Sequence, residues 1–289
     1  METTTTRLSQ EAAKGLTEIG RRFARRFKEC RKHPSEKRVH ALRVEARRLL
    51  SILDLLEQSE SEDILEKIRR MAKKKLDLLD ELRDVHVQVL ALRHLSREFP
   101  ELRPVYKQLR KRDDRLAKRV RKKLKNTGTS KLVKRVARLR QDYLDTYLHK
   151  EPRASALILR AINKAFSETV QFRRAINPNF TDTIHRTRIA FKKFRYMIEA
   201  LVTLRRQAGP KRLVRMRDYQ TNMGRIQDME VLLGRLEKFV KSGKGPKAAI
   251  APITNELAQR HMALVREYML VADELYSFWD NQQDRVEGP

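Results

Sequence analysis

Residues 39–56 read VHALRVEARRLLSILDLL, and residues 184–201 read IHRTRIAFKKFRYMIEAL. At an offset of 145 positions, His40 meets His185, Arg43 meets Arg188, Arg47 meets Lys192, Arg48 meets Lys193 and Asp54 meets Glu199. A second pair follows the first. LLDELRDVHVQVLALRHL at 78–95 parallels NMGRIQDMEVLLGRLEKF at 222–239, with Asp84 against Asp228 at an offset of 144. Two segments that recur in the same order at nearly the same spacing imply a chain built from two related halves. Their apolar residues recur at helical rather than strand spacing. Leu42, Ala46, Leu49, Leu53 and Leu56 form one stripe, and Thr187, Phe191, Phe194, Ile198 and Leu201 form its counterpart. At about 100° per residue, His40, Arg43 and Arg47 fall within about 60° of one another, beside the stripe. His185, Arg188 and Lys192 repeat that row. Cations near a helix start are unfavourable on their own, so carrying them in both halves points to an anion at the site.

Outward from these segments, helical periodicity covers nearly the whole chain. Prolines 34, 100, 152, 178, 210 and 246 fall between periodic stretches. Helices are expected at about 8–31, 36–57, 61–98, 102–125, 130–149, 153–176, 182–206, 210–241 and 248–281. Ser35 and Asp182 are candidate N-caps. Asn126–Ser130 (NTGTS) reads as a turn and Ser242–Pro246 (SGKGP) as a loop. Short connections make neighbouring helices antiparallel, so each half should be a four-helix bundle. The expected organisation is all-α and a single domain over 1–289. Its first half is 8–126, a connecting helix lies in 127–150, and its second half is 151–281.

Composition narrows the partner. The 66 Lys and Arg exceed the 37 Asp and Glu, for a net charge of +29. Such an excess repels itself in the folded state and implies an anionic partner: nucleic acid, an anionic membrane or a polyphosphate. The segment 101–140 alone contributes +14, from 17 basic and 3 acidic residues. There, Leu102, Val105, Leu109, Leu116, Val120 and Leu124 form an apolar seam. Arg112, Arg115, Arg119 and Lys122 run beside it, whereas Lys111 and Arg121 read as solvated surface. The one cysteine, Cys30, lies on an apolar stripe and reads as a core residue. The opening METTTTRLSQ lacks the apolar stretch of a secretory leader, and no run approaches a membrane span. A soluble cytoplasmic protein without membrane insertion is the expectation.

The paired segments resemble the CHAD family, the conserved histidine α-helical domain. Its first half carries a pattern like VHxxRVxxRRLRxxLxLF followed by LGxxRDxDVxxxxL. Its second reads like HxxRIxxKRLRYxxELF followed by LGxxxDxxVxxxLL. Four motifs in the right order span essentially the whole chain. Leu50 replaces a frequent basic residue of the first motif, and His86 stands where the other half has Glu230. The resemblance implies two helical bundles related by a pseudo-two-fold axis, with a basic channel between them that binds inorganic polyphosphate. Association with polyphosphate granules would follow from that ligand. The contacts are then expected from His40, Arg43, Arg47, Arg48, Lys73, Arg112, Arg115, Arg119, His185, Arg188, Lys192, Lys193 and Arg217.

Asp84 and Asp228 each follow a cation on the same face by 11 residues, Lys73 and Arg217 respectively. They are expected to orient neighbouring cations from behind, because an acid facing a phosphate would repel it. A metal site is not expected. Neither half has the close histidine pair a helix-borne site needs, and His86 and His94 lie eight apart with no third ligand. His33, His149 and His261 carry no signal. Nucleic acid should bind only weakly and through its backbone, since aromatics total 6% and no DNA-reading motif appears. Phosphate chemistry with the histidines as acceptors is the remaining alternative. However, there is no P-loop, and the nearest approach to an alternating ExExK strand, Glu60-Ser61-Glu62, continues into Asp63 and Ile64. No cofactor and no enzymatic activity are expected.

Overall fold

The computed structural model describes residues 7–57, 62–147, 150–205, 210–243 and 247–279. Among these residues all regular structure is helical. The order is α1 (Arg7–Lys32), α2 (Glu36–Leu55), α3 (Glu62–Glu98), a 3₁₀ turn (Pro100–Leu102), α4 (Arg103–Lys125) and α5 (Ser130–Tyr147). Then come α6 (Glu151–Arg174), α7 (Thr181–Arg205), α8 (Pro210–Lys241), α9 (Lys247–Val271) and a second 3₁₀ segment (Ala272–Phe278). No helix of the described residues is long and apolar enough to cross a membrane.

The stripes read from the sequence are the core. Leu42, Ala46, Leu49, Leu53 and Leu56 are buried, as are Thr187, Phe191, Phe194, Ile198 and Leu201. The seam of α4, from Leu102 to Leu124, is buried too. Cys30 is fully buried, and desolvation pushes its thiol up to about 12. Among the described residues one hydrophobic cluster runs from α1 to α9 rather than two separate cores. α1 packs on α2 and equally on α5, while α3 packs on α4 and also touches α5. The helix joining the repeats is therefore built into the first of them. Gly20 permits its close approach, since a Cβ there would meet Val136 Cγ1 at 3.2 Å. In the second half, α6 packs on α7 and α8 on α9. Between halves, α2 lies against α7 and α3 against α8, so each repeated helix meets its own counterpart.

Of three helix ends, one falls where expected and two do not. Ser35 is the N-cap of α2, but its hydroxyl makes no capping bond. Asp182 lies inside the first turn of α7 and is ion-paired to Arg186 at 2.6 Å, so it is not the cap. The long last helix stops at Val271 instead of about 281. The Ala272 carbonyl is taken by Tyr219 Oη at 2.8 Å and Arg173 Nε at 3.1 Å, and the chain tightens into 3₁₀ form. This segment carries Phe278 into the aromatic group of Phe191 and Tyr219. Trp279 Nε1 then donates to Asn163 Oδ1 of α6 at 2.7 Å.

Candidate functional site

The basic row of α2 lies beside its core stripe, so burying the stripe fixes where the row points. α7 repeats this construction and packs against α2. The rows consequently converge. His40, Arg43 and Arg47 line one cavity with His185, Arg188 and Lys192, of about 480 Å³, whose other walls come from α3 and α8. Asp84 and Gln88 enter from α3, and Gln220 and Asp228 from α8. Arg83 lines it as well, a cation that sequence reasoning passed over. Its Nη1 donates to Glu36 Oε1 at 2.5 Å, across to the start of α2.

Charge in this cavity is unevenly compensated. Arg43 is ion-paired to Asp80 of α3, with 15% of its side chain exposed. Among the described residues, Arg47, Arg188 and Lys192 have no carboxylate ion pair. Burial pushes the Lys192 ammonium down to about 7, assisted by repulsion from Arg47, Arg188, Arg43 and Arg195. Burial, then the charge of Arg83, lowers His40. Burial, then Arg43, disfavours the charged form of Arg47. Arg188 Nε and His185 Nδ1 are buried with no hydrogen-bond partner. Such groups cost free energy until something hydrogen-bonds to them.

Asp84 and Asp228 reach solvent through the cavity, yet surrounding protein desolvates both and raises their carboxyls. Arg43 draws Asp84 back down, and Arg188 does so for Asp228. Among the described residues neither aspartate hydrogen-bonds a cation. They share the cavity with the rows instead of standing behind them. The acid that holds Arg43 is Asp80, one turn before Asp84 and on the same face. Its counterpart in the second half is Gly224, where a Cβ would lie 3.6 Å from Arg188 Nε. One row's arginine is thus neutralised by its own half, and the other's is not.

The remaining candidates lie elsewhere. Arg48 points into the α2–α7 interface, donating to Glu199 Oε1 from Nε at 3.1 Å and to Glu45 Oε1 from Nη1 at 2.8 Å. Glu199 also accepts from Arg195 at 2.9 Å. Lys193 is exposed outside the cavity, as are Lys73 and Arg217. Eleven residues restore the same helix face but add a rise of about 16 Å, which carries Lys73 and Arg217 past the site. Arg112, Arg115 and Arg119 line a second cavity, between α4 and α8. His86 turns to α4, where its Nε2 lies 3.1 Å from Asp113 Oδ1; burial lowers the histidine and raises the aspartate. His149 lies outside the described residues.

The sequence pattern of the CHAD domain matches residues 14–237. The chain belongs to the CHAD family. No curated protein matches it at significance. Among solved structures, PptA from Streptomyces chartreusis is similar at 14% identity, over 93% of this chain and 99% of PptA, with a TM-score of 0.60. At that identity the likeness is one of fold. The CHAD match takes in α2, α3 and α7 completely and nearly all of α8, so all four walls of the central cavity belong to the CHAD domain.

Proposed function

We propose that this CHAD domain binds inorganic polyphosphate in the central cavity without turning it over. The observation that carries the reading is the convergence of Arg47, Arg188 and Lys192, half-buried together with no carboxylate ion pair among the described residues. Their mutual repulsion is relieved by an anion with many closely spaced charges. Guanidinium groups hold phosphate oxygens with directed, charge-assisted bonds. The two rows are related by a pseudo-two-fold axis, so a linear chain touches both at once. Arg188 Nε and His185 Nδ1 supply polar atoms for its oxygens. Asp84 and Asp228 limit how much negative charge the site accepts, and their raised carboxyls ease that conflict.

Titration with polyphosphates of defined length tests this. Binding should be strong at low salt, and log affinity should fall linearly with log salt as counterions are released, by analogy with DNA. Salt-independent binding, or none at low salt, overturns it. Chain length should stay unchanged on incubation with Mg²⁺ and ATP; turnover lost in His40→Ala or His185→Ala would show an enzyme instead.

A further inference from the structure

The second cavity, of about 570 Å³, lies between α4 and the C-terminal part of α8. Arg112, Arg115 and Arg119 line it from α4, and Arg235 and Lys238 from α8. Glu81 of α3 is the one acid among these lining residues. Its carboxylate bridges two guanidiniums: Oε1 accepts from Arg112 Nη2 at 2.8 Å, and Oε2 accepts from Arg119 Nη2. Arg112's hydrogen bond holds the Glu81 carboxyl below its ordinary range despite some desolvation, with Arg119 adding to the effect. Two oxygens presented to two guanidiniums are also what a phosphate group offers. The side chains of Glu81 and Arg119 are about half exposed, so the carboxylate can return to water at little cost.

The cavity adjoins the central one. Arg235 Nε donates to Gln88 Oε1 at 2.9 Å, and Gln88 lines the central cavity. This hydrogen bond links a lining residue of one cavity to a lining residue of the other. Along α8, Asp228 and Leu232 face the central cavity, and Arg235 and Lys238 face the second.

We propose that the α4–α8 cavity is a second phosphate-binding site, held in the free protein by the Glu81 carboxylate, which a phosphate group displaces from Arg112 and Arg119. Glu81 is then an internal competitor that sets the threshold of the site. The proposal rests on the polyphosphate reading for the class of anion, but not on the central cavity being its seat.

The test is calorimetric titration of the full chain with sodium tripolyphosphate at low salt. The background is Arg43→Gln/Arg188→Gln, which weakens the central cavity by taking one arginine from each row. Binding should persist there, tighten several-fold with Glu81→Gln and fall well below the background with Arg112→Gln/Arg119→Gln. Glu98→Gln is the control. It removes the same charge from an exposed carboxylate paired with Arg260, 17 residues further along α3. If Glu81→Gln does no more than Glu98→Gln, or if the Arg112/Arg119 variant binds like its background, the second site is overturned. If Arg43→Gln/Arg188→Gln binds as well as the unaltered chain, the central reading fails while the second site stands. Circular dichroism of each variant separates lost binding from lost fold.

Discussion

Arg43 spends part of its hydrogen-bonding capacity on Asp80, while Arg188 faces Gly224 with its Nε unsatisfied. Arg188 should therefore contribute more to anion binding. A charge-assisted hydrogen bond is worth roughly 1.5–3 kcal/mol. Arg188→Gln should cost about tenfold or more in long-chain affinity by that measure, and Arg43→Gln clearly less. Gly224→Asp should weaken binding by giving Arg188 a partner, and Asp80→Asn should strengthen it. Equal losses from the two arginines would refute the asymmetry. Lys192 adds a pH dependence. Its ammonium loses its proton near pH 7 in the free protein, and a bound anion favours the charged form. Affinity should rise as pH falls through 7, with proton uptake on binding above that pH, and Lys192→Arg should flatten the profile. Stability runs the other way. The unfolded chain keeps the ordinary lysine value near 10.5, so the cost of burying Lys192 grows as pH falls from there and is fully present below about 7. Lys192→Met should raise the melting temperature by a few degrees at pH 6 and by less at pH 9. The two rows were legible because a helix face follows from spacing alone. Asp80, Arg83 and Gly224 were not, because their roles depend on how α3 and α8 slide against α2 and α7. Spacing within one helix carries no information on that register.

At the scale of the helix pair, α2 and α7 are joined by a polar junction inside an apolar contact. Arg48 and Arg195 both pair with Glu199, whose side chain is 9% exposed, and Arg48 also pairs with Glu45. Removing one member of a buried ionic group costs roughly 3–5 kcal/mol, because it leaves the others desolvated and unpaired. Glu199→Ala should lose about that much in denaturant unfolding by the same rule. Arg48→Gln should lower stability and leave polyphosphate affinity close to that of the unaltered chain. A binding loss as large as that of Arg188→Gln would return Arg48 to the site. Helix existence and faces were readable from a period near 3.6 and from proline breaks. The stop of α9 at Val271 was not, because the residues that capture the Ala272 carbonyl, Arg173 and Tyr219, come from α6 and α8.

For the molecule as a whole, a single core and facing rows have separate consequences. The continuous cluster predicts one cooperative unfolding transition, with calorimetric and van't Hoff enthalpies in agreement. Two transitions would mean that the halves fold apart. Facing rows predict multivalency: a chain held by one row sees the other at high local concentration. Arg43→Gln/Arg47→Gln, or Arg188→Gln/Lys192→Gln, should weaken long polyphosphates severely and short ones much less. The Arg43 double variant should also lose some stability, since Asp80 is left without its partner. Lys111→Gln/Arg121→Gln alters two exposed charges and is the control. If row and control variants weaken binding alike, diffuse charge is the cause.

The difference between Asp80 and Gly224 bears on why both halves share one polypeptide. A homodimer of a single half would be bound by inheritance to treat both arginines alike, with an acid at each or at neither. Two acids would silence both guanidiniums, and none would leave both exposed to mutual repulsion. Once the copies are fused, a mutation reaches one and spares its twin. The chain can then keep one arginine as a fixed anchor and leave the other free to engage, a division of labour closed to identical subunits.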